Sequence, residues 1–137
     1  MRFLFISLFA LVFNGCAESL DCSLVQCINY FQQIQLTQIN TGENILISEE
    51  LTDEDISVVD SNNETIQSTI TNGELWVFSS KRRDEGLIIA YNEITIEYSY
   101  EIVGGGSTCC DFGELGNVEV IDNEFTVGDN LLEIFVE

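Results

Sequence analysis

The chain has 137 residues, with 24 acidic side chains against four basic ones and a formal net charge of −20 at pH 7. That balance excludes nucleic acid as a main partner, because phosphate-backbone binding displaces counterions with Lys and Arg, and it repels an anionic lipid surface. With no histidine anywhere, neither a Ser-His-Asp nor a Cys-His arrangement can form, and the usual neutral-pH base is missing. No P-loop, dinucleotide-binding glycine pattern or metalloprotease helix motif is present. Apolar residues make up 45% of the chain, enough to build a core, so the charge speaks for solubility and not for disorder.

In chain order, Arg2 is followed by an unbroken apolar run from Phe3 to Phe13 and then by Asn14, Gly15, Cys16 and Ala17. A short basic start and an apolar run well below the roughly 20 residues of a membrane span predict a secretory signal peptide over residues 1–15. The Gly15-Cys16 step resembles the lipobox of bacterial lipoproteins, although Phe13 stands three residues before the Cys where that family usually has Leu. The resemblance implies cleavage before Cys16 and a diacylglyceryl group on its sulfur, a membrane anchor made durable by two or three chains. Ordinary secretion, with cleavage after Ala17, is the alternative. Loss of residues 1–15 removes Arg2, leaving three basic residues against 24 acidic ones, a net charge near −21.

Residues 16–29 read as a tether carrying Cys22 and Cys27. With Cys16 lipidated or discarded, the four remaining cysteines suit two disulfides in an oxidising compartment. Adjacent Cys109 and Cys110 are poorly placed to bridge each other, so both are expected to bond back to Cys22 and Cys27. Such a closure contributes about 4 kcal/mol in the chain-entropy model. A four-Cys zinc site is disfavoured because adjacent Cys109 and Cys110 lack the usual two-residue spacing.

Residues 30–137 are predicted to form one domain. Residues 31–39 alternate, with Ile34 and Leu36 on one side and Gln33, Gln35 and Thr37 on the other. Turn residues occupy 40–43, an apolar run 44–47 and an acidic loop 49–55. Strand patterns follow at 56–59, 64–70 and 74–78, separated by turns at 60–63 and 71–73. Lys81, Arg82 and Arg83 are placed in a connection with 84–86, before a strand at 87–90. Residues 93–102 give the clearest strand, setting Ile94, Ile96, Tyr98, Tyr100 and Ile102 on one face and Thr95, Glu97, Ser99 and Glu101 on the other. Gly104, Gly105 and Gly106 open a loop holding the Cys pair, and strands at 117–121, 124–127 and 131–136 end the chain, with Asp122-Asn123 as a hairpin turn.

Eight to ten short strands, half-solvated and with no amphipathic helix, predict an all-β fold, a single antiparallel β-sandwich of prealbumin or immunoglobulin type. The turn chemistry of residues 35–43 and 56–63 resembles the opening hairpins of prealbumin-like sandwich domains, which small lipoproteins of Bacteroidota commonly carry; the resemblance implies a fold and transfers no functional residue. Calcium is the one cofactor the acidic loop would suit, with Asp53, Asp55 and Asp60 as candidate oxygen ligands, although the EF-hand spacing is missing. Trp76, Tyr91, Tyr98 and Tyr100 read as core or sheet-face packing. The expected function is that of a lipid-anchored, exported, non-catalytic binding or structural module at the bacterial outer membrane or cell surface, with a protein or glycan partner. A carboxylate-based glycan hydrolase and a calcium-dependent adhesion domain are the alternatives; a periplasmic or secreted location is the other address.

Overall fold

β1 (Phe31–Gln38) is an eight-residue strand whose inward side chains are Gln32, Ile34 and Leu36, the alternation the sequence prescribes. The structure, a computed structural model, describes residues 31–79, 81–106, 109–110, 113–128 and 131–137. The segments predicted as signal peptide and tether, with Cys16, Cys22 and Cys27, lie outside the described residues. A turn in which Gln38 receives the N–H of Gly42 and donates to Glu43 leads into α1 (Ile45–Ser48), a single helical turn. The apolar run expected to resume there as extended chain is helical instead. Asn44 is the reason: its side chain accepts the N–H of Leu46 at 3.0 Å, an N-cap that starts the turn, while Ile45 and Leu46 are buried.

The strands that follow are β2 (Ile56–Val59), β3 (Gln67–Thr71), β4 (Glu74–Phe78), β5 (Arg83–Tyr91), β6 (Ile94–Val103), β7 (Glu114–Val120), β8 (Glu124–Val127) and β9 (Leu131–Val136). They form a five-stranded sheet in the order β3-β4-β1-β9-β8 and a four-stranded sheet in the order β2-β5-β6-β7. All ladders are antiparallel except β1 with β9, the first and last strands, which run parallel side by side. Two strands so far apart in sequence need no tight turn between them, so nothing forces them antiparallel. β3 and β4 are joined by Asn72 (φ 54°) and Gly73 (φ 80°), the left-handed pair of a two-residue hairpin. A Cβ at Gly73 would also strike Ile47 of α1.

Two expected connections differ. β5 begins at Arg83, so residues 83–86 belong to a strand, with a register shift between Asp84 and Leu87 that absorbs the irregular pattern. Asp122-Asn123 does not close a hairpin: β7 pairs with β6 in one sheet and β8 with β9 in the other. The chain crosses between sheets there. Ile121 donates its N–H to the Glu97 carbonyl at 2.9 Å, and the Asn123 side-chain amide donates to the Phe135 carbonyl at 3.0 Å, so each side of the crossing is tied to its own sheet.

Both sheets feed one core, in which Leu36, Leu75, Val77, Leu132 and Ile134 of one meet Leu87, Ile89, Ile96, Tyr98 and Tyr100 of the other. Each such apolar side chain, fully withdrawn from water, stabilises the fold by roughly 1.5–3 kcal/mol. Polar bonds set how the sheets lie on each other. Tyr98 donates its phenol to the Gln32 side-chain carbonyl of β1 at 2.8 Å, and Tyr100 donates to the Ser79 hydroxyl just beyond β4 at 2.9 Å. β6 therefore lies across β1 and the end of β4. Between the sheets, β2 also meets β3 and β7 meets β8.

Tyr98→Phe is expected to lower stability by about 1–2 kcal/mol, a Tm drop of roughly 5–10 °C, because Gln32 is left buried without its donor. Adding Gln32→Leu is expected to recover most of that loss in a thermal melt, since both polar partners are then gone.

Candidate functional site

β6 is flanked by irregularities on both sides: the shift between Asp84 and Leu87 on β5, and a second between Ser99 and Glu101 against β7. Paired bulges increase local twist and open the sheet's outer face. The recess they leave is lined by Arg83, Glu85, Ser99, Glu101, Asn117 and Glu119, with Asp84 and Tyr100 beneath. Arg83 and Glu85 form an ion pair at 3.2 Å with both side chains largely exposed, which contributes little to stability. Asn117, held at φ 46°, donates its side-chain amide to Glu101 at 2.7 Å. The recess thus offers one guanidinium, an amide and a hydroxyl among carboxylates. It is suited to hydrogen-bonding a polar ligand such as sugar hydroxyls or a peptide backbone, and no nucleophile in it is paired with a base.

Below this face lies a charge cluster built on Asp60, Lys81 and Asp84. The buried Asp60 carboxylate accepts the N–H groups of Asn62 at 2.8 Å and Glu64 at 2.9 Å, closing the turn after β2, and its second oxygen holds the Lys81 ammonium. The same ammonium lies 3.4 Å from Asp84, whose other oxygen accepts the Gly86 N–H at 3.1 Å. The Tyr100 hydroxyl also lies 3.0 Å from the Lys81 carbonyl, so its one proton is shared between that oxygen and Ser79. One lysine therefore serves two inward-facing carboxylates. The hydrogen bond from Lys81, and then that from the Glu64 N–H, pushes Asp60 down to about 2. Lys81 is raised in turn, chiefly by Asp60. Lys81 and Arg83 pair with acids, as expected of the basic connection, but Arg83 lies in β5.

The three candidate calcium ligands are not brought together. Asp53 reaches the outer edge of β3, accepting the Thr69 hydroxyl at 2.9 Å and the Ile70 N–H. Asp55 accepts the N–H and hydroxyl of Thr52 at 2.8 and 2.7 Å; those bonds, the hydroxyl's first, hold it below the usual carboxylate range. Asp60 belongs to Lys81. Among the described residues no group of three or more Cys, Asp or Glu side chains is arranged to hold a metal.

Tyr91, Tyr98 and Tyr100 are core residues, and Trp76 stacks on Phe31 with ring centres 5.2 Å apart. Cys109 and Cys110 are both disulfide-bonded. The loop that carries them is fixed at its base. Arg82 donates to the carbonyls of Ile102 at 3.0 Å and Gly104 at 2.6 Å. Gly113 (φ 84°) packs so closely that a Cβ there would press into the carbonyls of Val103 and Gly104. Sequence reading missed the recess. Its signals were Gly86, an isolated glycine against a strand pattern, and Asn117, a residue tolerant of left-handed backbone. No known protein family, curated protein or solved structure matches this chain.

Asp60 has a lower pKa folded than its ordinary value of 3.8, so its contribution is full above about pH 4 and is lost as the pH falls through about 2. Lys81, shifted upward, loses its contribution only as the pH rises through a value above 10.5. Asp60→Asn is therefore expected to melt below wild type from about pH 5 to 9, with the gap closing towards pH 2 in a series of thermal melts. Gly113→Ala is expected to destabilise by about 1–3 kcal/mol in denaturant titrations, from strain at positive φ and a forced backbone shift.

Proposed function

We propose that the chain is an exported lipoprotein, anchored through Cys16, whose acidic sandwich acts as a non-catalytic binding or structural module for a protein or glycan partner. The observation that carries this reading is the disulfide bonding of both Cys109 and Cys110. Disulfides persist in oxidising compartments, which agrees with the signal-like apolar run that ends at Gly15-Cys16. Cys22 and Cys27 are the proposed partners, tying the tether to the late loop.

A further feature supports a binding module: the bulged outer face offers donors and acceptors in a shallow polar recess. Among the described residues no helix is long and apolar enough to cross a membrane; the proposed attachment is the lipid on Cys16.

Mass spectrometry of the mature protein, expressed with its leader in a bacterial host, tests the anchor. The expected N-terminal peptide begins at Cys16 and carries a diacylglyceryl mass, and Cys16→Ser is expected to release the protein from the membrane fraction. An unmodified peptide beginning at Glu18 would overturn the lipid assignment.

A further inference from the structure

A β-sandwich has edge strands, and each exposes a row of unpaired backbone N–H and C=O groups. Three of the four edges here are blunted. β2 is covered by the segment after it, where Ile66 donates to Val58 and Asp60 to Glu64. On β3, the Asp53 carboxylate occupies the outward N–H of Ile70. β7 is bent by its irregular register and by Asn117 in left-handed conformation. Among the described residues β8 pairs with β9 alone, and all four of its residues are exposed.

The ladder fixes which groups point outward. Gly128 donates to Leu131 at 2.8 Å, and strict alternation from there directs the backbone of Thr126 and Glu124 to β9 and that of Phe125 and Val127 to the open edge. The side chains of those same two residues stand opposite Ile134 and Leu132, on the core side of the sheet. Phe125 and Val127 nevertheless remain 36% and 43% exposed, beside Ile121 at 51%.

We propose that the β8 edge is a docking site for an extended segment of a partner protein that adds to the sheet as a strand and alternates apolar with Lys or Arg residues. Its apolar side chains would cover Phe125 and Val127; its basic ones would meet Glu124 on the other face. Charge decides against a second copy of this chain. β7, β8 and β9 contain several carboxylates and no Lys or Arg, and each copy carries a net charge of −20, so self-pairing would set like charges side by side. Main-chain bonds supply affinity in such strand addition and alternate side chains supply specificity. The inference rests on the binding-module reading and names its partner class.

The test is a fluorescently labelled synthetic peptide of alternating valine and lysine, titrated onto the folded domain by anisotropy. Saturable binding that weakens with added salt is expected, with the affinity falling by about tenfold for Val127→Pro, which removes an outward N–H and leaves the β9 ladder bonded. The same loss is expected when the peptide carries N-methyl groups on alternate residues, a change that leaves the protein untouched and decides the matter even if the proline variant fails to fold. No binding to wild type, or equal binding of the N-methylated peptide, would overturn the proposal. Either negative result leaves the lipid on Cys16 standing, since the mature N-terminus reports on that separately.

Discussion

The hydrogen bond between the phenol of Tyr98 and the side chain of Gln32 is the contact on which the arrangement of the two sheets depends. Apolar burial drives the sheets together but is non-directional, and many offsets would bury similar area. The bond between a buried phenol and a buried amide oxygen is directional, so it favours the offset that makes it. With Tyr100 reaching Ser79 and the Lys81 carbonyl from the same face of β6, the four-stranded sheet is pinned at two points. Beside them Asp84 is turned inward, and Lys81 sits between two carboxylates.

The second theme is how a proline-free, acidic chain makes its turns. Short polar side chains take over. Asn44 caps α1, Asp55 closes its own loop on Thr52, and Asp60 gathers two N–H groups after β2. Asn72, Asn92, Asn117 and Asp122 occupy left-handed backbone, the conformation Asn and Asp tolerate better than other residues with a Cβ. Much of the negative charge near the loops is thus structural. Asp53 bonds a sheet edge, and Asp60 neutralises a lysine.

These uses explain why the candidate site was only partly legible. An acidic loop followed by Asp60 looks in sequence like a supply of oxygen ligands. Spacing along a chain does not say which backbone N–H a carboxylate will meet, and here each carboxylate meets a different one. The recess on the outer face was less visible still, because it is formed by two register shifts. Those arise where three strands must stay paired while Asp84 and Tyr100 both turn inward, and only Gly86 and Asn117 hint at them.

The sequence alone determined the local order. Period-two alternation separates the buried Ile96, Tyr98, Tyr100 and Ile102 of β6 from its wet face, and Asn-Gly at 72–73 dictates a two-residue hairpin, because these follow from side-chain polarity and backbone sterics a few residues apart. Tertiary structure decided which strands became neighbours. That β1 lies parallel to β9, that the chain crosses between sheets at Asp122-Asn123, and that 44–47 curls into a helical turn under the Gly73 hairpin depend on contacts between residues distant in sequence. Alternation is the same whichever sheet a strand joins, so the pattern carries no record of the partner. The choice was made by burial and by the few polar bonds that only one arrangement satisfies.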